Sequence, residues 1–190
     1  MIERPRMALV VIGLSAVLVS ACSDDTPAAN SGSTASELTA KAVLASTGGG
    51  SAVEGTAVFV EKGDETTVTV TITAGGGAPG EHGLHIHEKG SCDPVDGGPG
   101  LAAGGHWNPV DAGHGYPSAT PHHLGDLGNI TIDAEGKGTV VVKSKDFYVH
   151  DGPNSVVGHT VIYHAQKDDG VSQPVGNAGA RPGCGVIQKQ

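Results

Sequence analysis

The chain has 190 residues, a formal net charge of −9 and an aromatic content of only 3%. This length allows one domain with a hydrophobic core but is short for two. The negative charge argues against a nucleic-acid partner held by bulk attraction, and the 31 glycines favour turns over long helices.

The first 21 residues have the features of a targeting segment. Arg4 and Arg6 precede the apolar run Met7–Val19, which is followed by small residues and then by Cys22. The uncharged stretch is short for a membrane-spanning helix, so residues 1–21 predict a signal peptide. The "VSAC" sequence resembles a bacterial lipobox, in which the cysteine is lipidated. A plain secretory signal with an incidental cysteine is the alternative.

Residues 22–37 predict a lipidated Cys22 followed by a flexible tether, because Ser23–Glu37 is small, polar and acidic. The domain would then occupy residues 38–190. An exported, lipid-anchored chain is expected in a bacterial cell envelope, on the periplasmic or outer surface of a membrane. In such an oxidising setting Cys92 and Cys184 can form a disulfide; two free thiols are the alternative.

From Leu38 onward the pattern is one of short strands. "LTAKAVLAST" and "AVEGTAVFVEKG" are alternating or β-branched runs that end at glycines. "TTVTVTITA" places Val68, Val70 and Ile72 on one face of a strand and threonines on the other. "GEHGLHIHE" follows, and "LGNITIDAEGKGTVVVKS", "GHTVIYHAQ" and "CGVI" complete the series. No helix-length pattern is found, so the sequence predicts an antiparallel sandwich or barrel.

In "HIH", His85 and His87 point to one face of a strand and Ile86 to the other, since side chains alternate along a strand. Two imidazoles about 7 Å apart could converge on one cation, although an exposed polar face is the simpler interpretation. His164 lies inside an apolar strand and is a candidate third ligand. Sites made only of nitrogen ligands favour copper.

The segment Lys89–Asp126 is rich in Gly, Pro and His and has no periodic pattern. A loop of this length inside a compact domain is often functional, and a bound cation could order it. Nitrogen ligands with one carboxylate suit zinc. The candidate zinc set consists of His106, His114, His123 and Asp126.

Five motifs occur in the order "GLHIHEKGSC", "GGHWNP", "HHLGDLGN", "DDGVSQPVGNAGAR" and "CGVI". In this order they resemble copper/zinc superoxide dismutase of the bacterial lipoprotein type, over residues 38–187. The resemblance implies an all-β fold: an eight-stranded antiparallel Greek-key β-barrel or sandwich with long metal-binding and active-site loops.

The resemblance also assigns the site residues. It implies that copper is bound by His85, His87, His106 and His164, and zinc by His106, His114, His123 and Asp126, with His106 as the bridge. His123 is preferred to His122, because the family ligand stands three residues before the aspartate. Asp168 would link His85 to His114, Arg181 would lie beside the open copper face, and Cys92 would pair with Cys184.

The implied activity is antioxidant defence: dismutation of superoxide to oxygen and hydrogen peroxide, in which His106 and Arg181 take part. A homodimer is possible. A copper-binding or copper-delivering lipoprotein without turnover is the alternative, and an interaction domain is a third. Pro174 and Val175 stand where animal relatives often carry lysine and threonine. The positive charge that guides superoxide to the copper site is therefore reduced or relocated in this chain, and Lys89 and Lys167 are candidates to supply it.

The remaining histidines are expected to be surface or turn residues rather than ligands. They are His82, His150 and His159.

Overall fold

The computed structural model describes residues 36–48, 50, 52–96 and 98–190. The predicted signal peptide, the predicted lipidation site Cys22 and nearly all of the predicted tether lie outside these residues. The described residues contain nine strands: β1 (Leu38–Ser46), β2 (Glu54–Lys62), β3 (Glu65–Ala74), β4 (Gly80–His87), β5 (Asp126–Ile132), β6 (Gly138–Ser144), β7 (Thr160–Tyr163), β8 (Gly183–Val186) and β9 (Gln188–Lys189). Within the described residues, no helix has the length and hydropathy that a membrane crossing would need.

The strands form one antiparallel sheet with the spatial order β5-β4-β7-β8-β1-β2-β3-β6, and the two-residue β9 pairs with β1. Strands β5 and β6, at the two ends of this order, are joined by a tight turn and pack against each other, so the barrel is nearly closed. In space β3 is followed by β6, whereas β4 lies between β5 and β7, so the chain crosses the barrel between β3 and β4. The predicted eight-stranded Greek-key barrel is confirmed, with β9 as a short addition.

The barrel interior is built by the alternation that the sequence contains. In β3 the residues Val68, Val70 and Ile72 are buried, and the threonines between them are partly exposed on the outer surface. Phe59 of β2 and Leu44 of β1 complete this part of the core. Burial of one face of each strand supplies the main driving force for the fold.

Strand β4 departs from this alternation, because it is buried on both faces from His82 to His87. Leu84 and Ile86 belong to the hydrophobic core. His85 and His87 therefore point to the other face of the barrel wall, yet both are fully buried. The long connections before β5 and before β8 cover that face, which makes the outer side of β4 a closed site.

The loop after β4 is tied to the barrel by a disulfide between Cys92 and Cys184 of β8, which confirms the predicted pairing. Cys184 packs in a small apolar cluster with Ala103 and Ile162, and Cys92 contacts that cluster. Ala103 belongs to a single 3-10 turn, Leu101–Ala103. The loop is thus fixed by a covalent link and by a few apolar contacts.

Replacing both cysteines, Cys92→Ser with Cys184→Ser, should lower the free energy of unfolding by about 2–5 kcal/mol, because the bond closes a loop of 92 residues in the unfolded chain. Urea unfolding of the metal-free domain measures this change. Reduced wild-type protein is the matched control and should unfold like the double variant. A change below about 1 kcal/mol would contradict this account.

Candidate metal centre

Four histidines from three parts of the chain meet on the outer side of β4. His85 and His87 come from β4, His106 from the loop that follows, and His164 from the residue directly after β7. One ligand atom from each lies within 4.8 Å of the others, and all four side chains are buried. This set is called the four-histidine group below.

Each of these four rings has one buried nitrogen without a hydrogen-bond partner. The atoms are His85 Nδ1, His87 Nε2, His106 Nε2 and His164 Nε2. A buried polar atom without a partner is costly, and such groups in a native fold call for an explanation. Four in one place indicate a group that binds a cation.

The opposite nitrogens are held by protein acceptors. His87 Nδ1 lies 2.9 Å from the carbonyl oxygen of Gly104, and His85 Nε2 lies 2.8 Å from Asp168 Oδ2. His164 Nδ1 lies 3.3 Å from the carbonyl oxygen of Gly179. Because these oxygens can only accept, each ring carries its proton on the held nitrogen and leaves a lone pair on the free one.

A second group surrounds one carboxylate oxygen. Asp126 Oδ1 lies 2.9 Å from His106 Nδ1, 3.1 Å from His114 Nδ1 and 3.3 Å from His123 Nδ1. Asp126 Oδ2 accepts the backbone N–H groups of Gly115 and His123. The four predicted zinc ligands are therefore neighbours, and this set is called the three-histidine–aspartate group below.

A different combination also brings ligand atoms close together. Its members have atoms within 4.8 Å of one another, and it contains His85 in place of His123: His85, His106, His114 and Asp126. His85 Nε2, however, is bonded to Asp168, and its Nδ1 is one of the unpartnered nitrogens of the four-histidine group. His123 Nδ1 is 3.3 Å from His106 Nδ1 and equally close to Asp126. His122 points elsewhere, toward the carbonyl of Ala119 and toward Asp146. Of these two neighbouring histidines, His123 is therefore the one that lies beside Asp126 and His106.

His106 belongs to both groups. Its Nδ1 faces Asp126, its Nε2 is unpartnered, and its ring stacks on that of His85 with 3.8 Å between centroids. Since the two nitrogens of one imidazole lie on different sides of the ring, a single side chain can serve two neighbouring cations.

Asp168 connects the groups from behind. Its Oδ2 accepts from His85 and its Oδ1 lies 2.9 Å from His114 Nε2. The carboxylate is buried, and its backbone is held on both sides by the side-chain amide of Asn129. Burial opposes the charge, but hydrogen bonds from His114 and His85 keep the pKa of Asp168 well below its ordinary value.

The two groups differ in electrostatic character. Burial lowers the pKa of His85 to about 4 and lowers the pKa values of His87 and His164 well below the ordinary histidine range. His114 behaves in the opposite way: burial disfavours its charge, but hydrogen bonds to Asp126 and Asp168 raise its pKa to about 9. At neutral pH and without metal, these three imidazoles of the four-histidine group are neutral, whereas His114 is protonated on both nitrogens and positively charged.

Arg181 stands next to the four-histidine group and is partly buried. Its Nη1 donates to the carbonyl oxygen of Gly100 at 3.2 Å, and its own carbonyl accepts from the hydroxyl of Thr47. The pKa values of His87 and His164 are lowered mainly by burial and then by neighbouring histidine rings, and the positive charge of Arg181 lowers them further. A fixed positive charge therefore acts on the four-histidine group.

The other suggested guiding cations differ in their surroundings. Lys167 Nζ lies 2.5 Å from Glu81 Oε2, so its charge is largely compensated. Lys89 is exposed at the end of β4. The loop residues Val171 and Val175 are 74% and 38% exposed, so neither of them supplies a charge at this surface.

One of the three remaining histidines contradicts its predicted placement. His82 is buried, because its ring stacks on Tyr163 and its nitrogens contact the carbonyl oxygens of His164 and Ala78. The prediction that His82 is a surface or turn residue was wrong, since the Gly-rich loop before β4 folds over it. His150 bonds to Glu61, and His159 stacks on Trp107; both lie in loops.

Sequence reasoning missed two amides that organise the site. Asn129 holds the backbone of Asp168, and Gln173 holds the backbone of His114. Both lie inside the quoted motifs, Asn129 in β5 and Gln173 in a loop, but nothing in the local pattern marks either amide as a partner of a distant backbone. Their partners are distant in sequence, so only the folded chain identifies them.

Comparisons with known proteins agree with this geometry. A family model described as copper/zinc superoxide dismutase (SODC) matches residues 53–187, which is more than half of the chain. A crystal structure of the clock protein EA4 is similar to this chain with 32% sequence identity and a TM-score of 0.67, covering 79% of this chain and 93% of that one. The chain therefore belongs to the copper/zinc superoxide dismutase family.

Proposed function

We propose that this protein dismutates superoxide, with copper in the four-histidine group and zinc in the three-histidine–aspartate group. The observation that carries the proposal is the position of His106, which belongs to both groups and has one nitrogen available to each. The family to which the chain belongs supports the same activity.

The donor atoms fit these two metals. Four buried imidazoles with free, converging nitrogens suit copper, which binds nitrogen ligands most strongly among the divalent first-row ions. Three imidazoles around one carboxylate suit tetrahedral zinc. The outer hydrogen bonds that the rings donate to Asp168, Gly104 and Gly179 would fix the ring orientations before either metal binds.

The reaction converts two superoxide anions and two protons into oxygen and hydrogen peroxide. Copper, when bound, would supply the reversible one-electron exchange that this reaction needs. Arg181 supplies a fixed positive charge beside the four-histidine group, where it can dock and orient an anion. His106 Nε2 is buried, faces that group and can hold a proton there, while Asp126 holds the other side of the ring.

A copper-holding or copper-delivering protein without turnover is the second candidate. It uses the same four histidines, and the similar solved structure is that of a clock protein. The placement of Arg181 favours the enzyme, because a storage site gains nothing from a cation beside a bound cation. An interaction role would not require two complete sets of buried ligands.

We also propose, from the sequence, that the protein is exported and anchored through a lipid on Cys22, so that it acts in a bacterial cell envelope. Superoxide is then the small-molecule partner, and a homodimer remains a proposal from the family resemblance. Mass spectrometry of the membrane-extracted protein would detect the lipid on Cys22, and sedimentation of residues 23–190 would give the oligomeric state.

His85→Ala should reduce dismutase activity to the level of the metal-free protein while leaving the barrel folded, because the strand is held by main-chain hydrogen bonds. The activity assay is paired with the electron paramagnetic resonance spectrum of bound Cu²⁺, which should also change. The control is His150→Ala, a histidine outside both groups, which should retain activity. Full activity in His85→Ala would contradict the assignment.

Arg181→Ala should lower kcat/KM roughly 10- to 100-fold, because the anion loses its attracting charge. Arg181→Lys keeps the charge and should recover much of the rate. The dependence on ionic strength is the second readout: it should be weaker in Arg181→Ala than in wild type. Equal rates and equal salt dependence in all three proteins would rule out this role for Arg181.

Zinc and copper should differ in the pH dependence of their binding to the metal-free protein. His114, with a pKa of about 9, must lose a proton to bind zinc, so zinc affinity should fall about tenfold per unit as pH decreases below 9. The imidazoles of His85, His87 and His164 are already neutral, so copper affinity should be nearly flat from pH 6 to 9. Titration calorimetry in two buffers counts the released protons, and equal proton release for both metals would contradict the assignment.

A further inference from the structure

The loop over residues 168–181 touches both metal-binding groups. It begins at Asp168, which bonds to His85 and His114, and it ends at Arg181. Between them, the carbonyl oxygen of Gly179 faces His164. Gln173 lies in the middle of this loop, within the "SQPV" stretch.

We infer that Gln173 is a positioning residue for the three-histidine–aspartate group, and that it acts by holding the backbone of His114. This inference rests on the proposed function, since it takes that group to be the zinc site. It assigns a task to a residue that contacts no predicted copper ligand.

The contact is a two-way amide bridge. The backbone N–H of His114 donates to Gln173 Oε1 at 2.8 Å, and Gln173 Nε2 donates to the carbonyl oxygen of His114 at 3.0 Å. The two bonds fix the orientation of the side-chain amide, because the opposite orientation would place like groups against each other. Gln173 therefore pairs with His114 as a neighbouring strand would.

His114 needs such a partner because it lies in a stretch without regular secondary structure, between Gly113 and Gly115. Backbone groups buried outside helices and sheets must find partners elsewhere. The ring of His114 is engaged on both nitrogens, by Asp126 and by Asp168. A shift of its backbone would therefore move the ring away from the other ligands.

The loop that presents Gln173 is itself rigid. The carboxylate of Asp169 accepts from the backbone of Val171, from both the backbone and the hydroxyl of Ser172, and from the side chain of Asn177. Gly176 packs so closely that a Cβ there would overlap Asp168 Oδ1 and His114 Nε2. Gln173 is exposed, but the loop that carries it is held on both sides, so its amide can position His114 as outer partners of metal ligands do.

The test compares three variants with wild type. Gln173→Ala removes the amide, and Gln173→Met keeps the length of the side chain but removes both hydrogen bonds. Gln188→Ala on the exposed β9 is the matched control. Each metal-free protein is titrated with Co²⁺, a probe of zinc sites, and binding is monitored by visible absorption. Zn²⁺ is then added to compete with the bound Co²⁺. A separate sample is titrated with Cu²⁺, and binding is monitored by electron paramagnetic resonance. Amide hydrogen exchange of His114 is measured without metal.

Gln173→Ala and Gln173→Met should lose roughly 10- to 100-fold in Co²⁺ and Zn²⁺ affinity and exchange the His114 amide faster, with Cu²⁺ binding unchanged. Gln188→Ala should behave as wild type. Wild-type affinity and exchange in Gln173→Met would overturn the inference, as would equal losses for both metals, which would make Gln173 a general structural residue. Wild type that binds no Co²⁺ or Zn²⁺ would instead refute the proposed zinc site.

Discussion

The two-residue period of β4 is the constraint on which the site depends. One face of the strand carries Leu84 and Ile86 into the barrel core, so the other face must carry His85 and His87 to the outside of the wall. The core packing thereby fixes the register of the histidine pair, because a slip of one residue would exchange the two faces. Because β4 is hydrogen-bonded to β5 and β7, the backbone of His85 and His87 is held in place by the barrel.

The buried histidines are tolerated in the interior because two buried carboxylates, Asp126 and Asp168, contact most of them. Asp126 faces His106, His114 and His123, and Asp168 faces His85 and His114. Each carboxylate is further held by backbone N–H groups, which makes its negative charge tolerable in the interior. The same arrangement leaves one ring nitrogen unpartnered on each of His85, His87, His106 and His164, and this is the structural reason to expect a cation there.

The loops that cover β4 have little regular structure, and specific side chains replace it. The disulfide to Cys184 fixes the first loop, and the amides of Asn129 and Gln173 fix the second loop against its neighbours. The loop that starts at Asp168 ends at Arg181, so one continuous segment bonds to His114 at its start and carries the arginine beside the four-histidine group at its end. In the proposed function, this segment would connect the zinc site to the charge that attracts the anion.

The sequence by itself determined the class of fold and the pool of candidate ligands, because alternation, glycine-bounded strands and clustered histidines are local patterns. Tertiary structure decided which atoms meet. His123 rather than His122 faces Asp126, and His82 is buried beneath a loop that the local pattern placed at the surface. The bridges made by Asn129 and Gln173 join residues 39 and 59 positions apart, and no local propensity encodes such a pairing. Strand patterns report which face is buried, whereas contacts between loops arise only when the barrel brings their ends together.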